Sequence, residues 1–239
     1  MALGLPSHIE ACLFDLDGVL TQTSILHAEA WKQAFDEYLR ARATVRSEPF
    51  VPFDAVMDYA EHVDGKPRDD GVRSFLAARG IPLADETVHA IGDRKNELVL
   101  KLLRERPVAT YAGSVRYVHA VREGGLKTAV VSSSKNTHEV LESARIAELF
   151  DVRIDGLVAE ARHLVGKPSP ETYLAAAAEL AVEPARAVVF EDALAGVEAG
   201  RAGHFGYVVG VDRVGQAAAL RRHGADVVVQ DLESLLEAS

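Results

Sequence analysis

The chain has 239 residues, 48% hydrophobic and 26% charged, which suits one large globular domain or a main domain carrying a smaller insertion. A net charge of −10 argues against nucleic acid or an anionic membrane as partner, but not against a small phosphorylated substrate, which responds to local charge alone. No apolar run approaches the roughly 18 residues of a membrane span, and MALGLPSHIE lacks the charged and apolar regions of a secretory signal, so a cytoplasmic protein is expected.

Ala11 to Leu16 (ACLFDL) reads as a short buried strand stopped by an Asp-Gly turn at Asp17-Gly18. The lone cysteine, Cys12, lies inside that run, has no partner for an internal disulfide and reads as a small buried residue. From Leu20 to about Arg106 the pattern is helical, with segments at His27–Leu39, Phe53–Glu61, Gly71–Ala78 and Thr87–Leu103, and a proline-bearing loop at Arg46–Pro52. No apolar strand interrupts it. Beyond Gly113 helices and β-branched runs alternate. Ser114–Glu123, Asn136–Arg145 and Pro170–Leu180 read as helices, and Thr128–Val131, Ala187–Phe190, Tyr207–Val211 and Val227–Val229 as strands, with helices between the last three. Continuous apolar strands alternating with helices predict an α/β fold: a Rossmann-like parallel sheet covered on both faces, with functional residues at the carboxyl ends of its strands. The helical block reads as an inserted cap domain at 24–105, leaving 1–23 and 106–239 as the core.

Four clusters follow or flank strands of that sheet. Asp15 and Asp17 follow the first strand, where carboxylates can ligate a hard cation or attack phosphorus, although an Asp-Gly turn with solvated acids has the same spelling. Ser132-Ser133-Ser134-Lys135-Asn136 follows Val131 and offers hydroxyls and backbone N–H groups to phosphate oxygens, or simply caps the next helix. Lys167, between Gly166 and Pro168, is constrained to place one positive charge, or is a surface lysine in a turn. Glu191-Asp192 ends the Val188-Val189 strand and supplies a second acidic pair. Together they form a nucleophile, metal ligands and cationic phosphate contacts converging on one crevice, which is the composition of a phosphoryl-transfer site.

In order, Asp15-Leu16-Asp17-Gly18, Ser132, Lys167 and Glu191-Asp192 resemble the four motifs of the haloacid dehalogenase superfamily, over almost the whole chain. The resemblance implies Asp15 as nucleophile and Asp17 as general acid and base. It makes Asp15, Asp17 (through its backbone carbonyl), Glu191 and Asp192 the ligands or near neighbours of Mg²⁺, and Ser132 and Lys167 the grip on the transferring phosphoryl group. The run DLDGVLTQTSILHAEAWK further resembles the opening of β-phosphoglucomutases. That implies a coupling of cap closure to proton transfer for Thr23 and His27 and a place near the sugar for Trp31; on spacing alone His27 and Trp31 read as sharing a buried helix face. Val63-Asp64-Gly65-Lys66-Pro67-Arg68 resembles the subfamily's cap loop, with Gly65 in the loop and Arg68 on the non-transferring phosphate, aided by Lys135 and Asn136. Lys95-Asn96 matches a pair that reaches into the closed site. Ser133 and Ser134 extend the phosphate-binding turn. Two departures stand out: the stretch between Trp31 and Gly65 is longer than in those enzymes, with Arg40–Pro52 as the extra part, and Gly71 replaces their serine. The resemblance implies a Mg²⁺-dependent β-phosphoglucomutase acting through a phospho-aspartate, with a sugar-phosphate phosphatase as alternative. A small sugar phosphate is the expected partner and a monomer the expected state.

Overall fold

The computed structural model describes residues 3–237. Six strands form one sheet in the order β3-β2-β1-β4-β5-β6, all paired in parallel. They are β1 (Ala11–Phe14), β2 (Lys127–Val131), β3 (Val152–Ile154), β4 (Ala187–Glu191), β5 (Tyr207–Val211) and β6 (Val227–Val229). From β1 the chain builds outward through β2 and β3, then returns to β1's other edge for β4. The order therefore reverses beside β1, and the crevice at its carboxyl end is where such sheets bind ligands. Side-chain alternation divides the core. Cys12, Phe14, Val130, Val188, Phe190 and Val209 face α4 (Ala112–Glu123), α5 (Thr137–Ala144) and α10 (Ser234–Glu237). Leu13, Ala129, Val131 and Val189 face α7 (Glu171–Glu179) and α8 (Leu194–Ala202). The remaining short helices are α6 (Gly156–Ala161) and α9 (Ala217–His223). Phe14 stacks on Phe190 with ring centroids 4.5 Å apart, fixing the two central strands against each other.

The helical insertion has a core of its own. It comprises α1 (Thr23–Arg46), a π-helical turn (Tyr59–Val63), α2 (Arg68–Ala78) and α3 (Asp85–Glu105), packed around Phe35, Phe53 and Phe75, whose ring centroids lie 4.3–4.9 Å apart. Burying each ring removes about 1.5–3 kcal/mol worth of apolar surface from water. The insertion joins the sheet layer through two neighbouring strands of backbone. Thr21 bridges Thr110, the Gln22 N–H donates to Ala109 O at 2.8 Å, and the Tyr111 N–H donates to Leu20 O at 2.9 Å. Among the described residues no helix is long and apolar enough to cross a membrane.

Several elements depart from the sequence reading. The first strand stops at Phe14, because the Leu16 carbonyl turns to accept Leu20 N–H and Thr21 N–H. The expected helix at Phe53–Glu61 is replaced: Phe53 is a plug in the cap core, and Asp54 Oδ1 accepts from the N–H groups of Val56 and Met57. The chain then coils one residue wider than an α-helix, with Asp64 N–H donating to Tyr59 O. Helix α1 runs on to Arg46, so only the rest of the long segment is loop, and α2 starts at Arg68 rather than Gly71. β3 and α6 had no counterpart in the sequence reading.

Candidate active site

A cavity of about 330 Å³ lies between the sheet's carboxyl end and the cap. Asp15, Asp17, Ser132, Ser133, Ser134 and Asp192 line its floor, and His27, Trp31, Gly65, Arg68, Lys95 and Asn96 its roof; Lys135 and Asn136 lie at one side. Thr23, Lys167 and Glu191 sit buried behind the wall.

At the floor, Lys167 is 1% exposed and donates to Asp15 Oδ1 at 2.6 Å, Glu191 Oε1 at 2.6 Å and Val131 O at 3.1 Å. All three ammonium protons are thus used. Burial alone would lower the Lys167 pKa, but the two carboxylates reverse it and hold the ammonium charged. Tyr173 donates from its hydroxyl to Glu191 Oε1 at 2.9 Å, and its ring lies 4.9 Å from the Lys167 nitrogen. Burial pushes Asp15 well above the usual carboxylate range; Glu191 and Asp17 add to this and Lys167 opposes it.

Asp17 is held from both sides. Thr23 Oγ1 donates to Asp17 Oδ1, Ser132 Oγ donates to Oδ2 at 3.3 Å, and His27 Nε2 stands 3.6 Å from Oδ1. Lys95 Nζ is 3.0 Å from His27 Nδ1, which assigns the imidazole proton to Nε2, facing Asp17. Burial, then Lys95, lowers His27 to about 4, and burial lowers Lys95 to about 7. Trp31 is buried in the cap core and also lines the cavity. It stacks on Phe35 at 5.1 Å in the cap core, and its ring lies under Lys95, 4.9 Å from the nitrogen.

Asp15, Glu191 and Asp192 each offer an oxygen within 4.8 Å of the others, and Asp192 Oδ1 is buried without a hydrogen-bond partner among the described residues. Burial, Asp64 and Asp15 raise the Asp192 pKa well above its ordinary value. An all-oxygen set of converging carboxylates with one orphan atom fits a hard divalent cation such as Mg²⁺. Gly18 is required here: its φ is +98°, and a Cβ would lie 1.7 Å from Asp192 Oδ2.

The far end is built differently. Arg68 donates to Gly92 O at 3.4 Å and lies 3.6 Å from Asp93; Lys135 pairs with Glu160 at 2.7 Å. Asn136 Nδ2 donates to Asn96 Oδ1 at 3.1 Å, and Ser133 Oγ to Gly65 O at 2.7 Å, so both bonds tie floor to cap. Ser134 Oγ accepts the Asn136 N–H at 3.1 Å.

Sequence reasoning passed over Tyr173, Asp64 and Arg213. The first had a signal: it lies on the apolar face of α7 with Ala176, Ala177 and Leu180, and a buried tyrosine hydroxyl needs a partner. Asp64 lines the cavity, raised to about 7 by burial and Glu191. Arg213, after β5, donates to Gly18 O at 2.8 Å and Val19 O at 3.3 Å, while Gln216 donates to Asp192 O at 2.9 Å. One loop therefore grips both acidic turns, and nothing local in the sequence announces it.

The profile of the haloacid dehalogenase-like hydrolases matches residues 9–204. The chain is 53% identical to a β-phosphoglucomutase of Mycobacterium bovis, over 98% of this chain and 94% of that one. It is 31% identical to a validoxylamine A 7′-phosphate phosphatase of Streptomyces hygroscopicus, over 93% and 94%. Among solved structures, a β-phosphoglucomutase of Clostridium difficile superposes with a TM-score of 0.77 at 26% identity, covering 95% of this chain and 93% of the other. With the parallel sheet, the helical insertion and the convergence of Asp15, Ser132, Lys167 and Glu191-Asp192 in place, the chain belongs to the haloacid dehalogenase superfamily, in its β-phosphoglucomutase-like branch.

Proposed function

We propose that the protein is a β-phosphoglucomutase, interconverting β-glucose 1-phosphate and glucose 6-phosphate through the 1,6-bisphosphate. The observation that carries this reading is one cavity with cations at both ends: Lys167 behind the wall beside Asp15 at one, and Arg68, Lys135 and Lys95 lining it towards the other. Hydrolysing a singly phosphorylated sugar needs only the first.

Asp15 attacks phosphorus, the bond to the donor oxygen breaks, and an acyl phosphate forms on Asp15. Ser132 holds the transferring oxygens, and the Lys167 ammonium beside Asp15 offsets charge that would otherwise repel a dianion from two carboxylates. Asp17 takes the proton of the attacking sugar hydroxyl and returns it to the leaving oxygen, kept in place by Thr23 and by the His27 Nε2 proton. Asp15, Asp192 and the Asp17 carbonyl would hold Mg²⁺, with Glu191 closing the set; the ion supplies charge neutralisation for the phosphoryl oxygens. Arg68, Lys135, Asn96 and Asn136 bind the phosphate that is not transferred. After the first transfer the bisphosphate turns over in the cavity and returns its other phosphate to Asp15. Residues 24–105 act as the closing cap over a core of 1–23 and 106–239.

Incubation with β-glucose 1-phosphate and a trace of glucose 1,6-bisphosphate should yield glucose 6-phosphate. Release of inorganic phosphate in its place would transfer the assignment to a sugar-phosphate phosphatase. That second reading is favoured by the presence of phosphatases among the similar proteins.

A further inference from the structure

The loop between the π-helical turn and α2 packs Pro67 against the backbone of Gly166. A Cβ added to Gly166 would lie 2.0 Å from Pro67 Cγ and 2.7 Å from Cδ, separations that bonded chains do not tolerate. Gly166 is not among the glycines with positive φ, so backbone conformation does not demand a glycine there. Space does. The residue next to Lys167 is bare because a cap residue occupies the place of its side chain. The same loop is fitted elsewhere too: a Cβ on Gly65 would come within 2.9 Å of Ala193 Cβ, and Gly65 O takes the Ser133 hydroxyl.

From this we infer that the seat of Pro67 on Gly166 decides which acceptor takes the phosphoryl group from Asp15, sugar hydroxyl or water. The inference rests on the mutase reading above. Polar links between cap and floor, such as Asn136 to Asn96 and Ser133 to Gly65, can be replaced by water as the cap lifts. A ring pressed against bare backbone has no such substitute; when it lifts, a gap opens beside Lys167. Pro67 also immediately precedes Arg68, the first residue of α2, so the depth of the ring sets how far the guanidinium reaches into the cavity. With the ring seated, a sugar hydroxyl forms the new bond to phosphorus, the bond to Asp15 breaks, and the hydroxyl proton passes to Asp17. With the ring displaced, water makes the same exchange, releasing inorganic phosphate and giving its proton to Asp17.

The test is Gly166→Ala, assayed with β-glucose 1-phosphate and glucose 1,6-bisphosphate while glucose 6-phosphate and inorganic phosphate are followed together. Overpacking a closed interface by one methyl should shift the product ratio towards phosphate by roughly 5- to 150-fold. Pro67→Ala combined with Gly166→Ala should return the ratio to near wild type, because Pro67 Cβ alone would stand 3.5 Å from the new methyl, an ordinary contact. A fall in both products together, without rescue in the double variant, would mean that the methyl merely displaces Lys167 and would overturn the inference. An unchanged ratio in a wild type and variant that both make glucose 6-phosphate would overturn it alone. A wild type making no glucose 6-phosphate would overturn the mutase reading, and this inference with it.

Discussion

At the sheet end of the cavity Lys167 is almost wholly buried and spends its three protons on fixed acceptors, whereas at the cap end Arg68 and Lys135 rest against Asp93 and Glu160, carboxylates that are 73% and 64% exposed. The first arrangement is costly to desolvate, and folding meets that cost before any substrate arrives. The second holds its cations with pairs worth only about 0–1 kcal/mol, which a phosphate dianion can displace. A group that must stay in place is built in, and a group that must exchange partners is lightly tethered.

The largest effect should come from the built-in end. Asp15→Asn should abolish turnover of sugar phosphates and aryl phosphates alike, because an amide does not attack phosphorus; near-wild-type rates would end the covalent mechanism. Next, a chelator should remove activity with both substrates, and Mg²⁺ should restore it. Asp192→Ala should raise the Mg²⁺ concentration needed, and chelator-resistant turnover would rule out a required metal.

The cap end should respond selectively. Arg68→Ala should cut mutase turnover about 10- to 150-fold, the equivalent of a lost charge-assisted contact of about 1.5–3 kcal/mol. Hydrolysis of an aryl phosphate, which has no second anionic group, should scarcely change, and equal losses in both assays would erase the distinction between the ends. Lys95 adds a pH dependence. Burial lowers it to about 7, so its charge is present below that pH and lost as pH rises. The advantage of wild type over Lys95→Met in binding a sugar phosphate should therefore shrink by at most about tenfold from pH 6 to pH 8, the ratio of charged lysine at the two pH values for a group titrating about 7. A constant ratio in isothermal titration at both pH values would show that Lys95 carries no proton to the ligand. The smallest effect belongs to Glu160→Gln. Freeing Lys135 from its exposed partner should lower KM by at most about fivefold, the worth of a surface pair. A rise in KM would show that Glu160 positions Lys135 rather than competing for it.

How much of this was legible in the sequence follows range. Asp15 to Gly18, Ser132 and Glu191-Asp192 each lie within a few residues of a strand end, so strand pattern and turn chemistry located them, whereas Lys167, between β3 and β4 and far from either, was legible only through its Gly-Lys-Pro setting ahead of a helix. Tyr173, Arg213 and the meeting of Pro67 with Gly166 depend on contacts between distant segments, and no local pattern encodes those. In the fold, β3 is three residues long and α6 six, too short for periodicity to register. The helix expected from Phe53 failed because Asp54 folds back on the next N–H groups, a competition that composition alone does not resolve.

The paired backbone at Thr21 and Thr110 has a topological consequence. Because the chain leaves the sheet layer and rejoins it at adjacent positions, the intervening segment behaves as a loop with pinned ends. Doubling the length of such a loop adds only about 0.6 kcal/mol of closure entropy. The inserted block is in that sense a cassette: its length and contents can drift while β1 and β4, which lead to Asp15 and Asp192, keep their register.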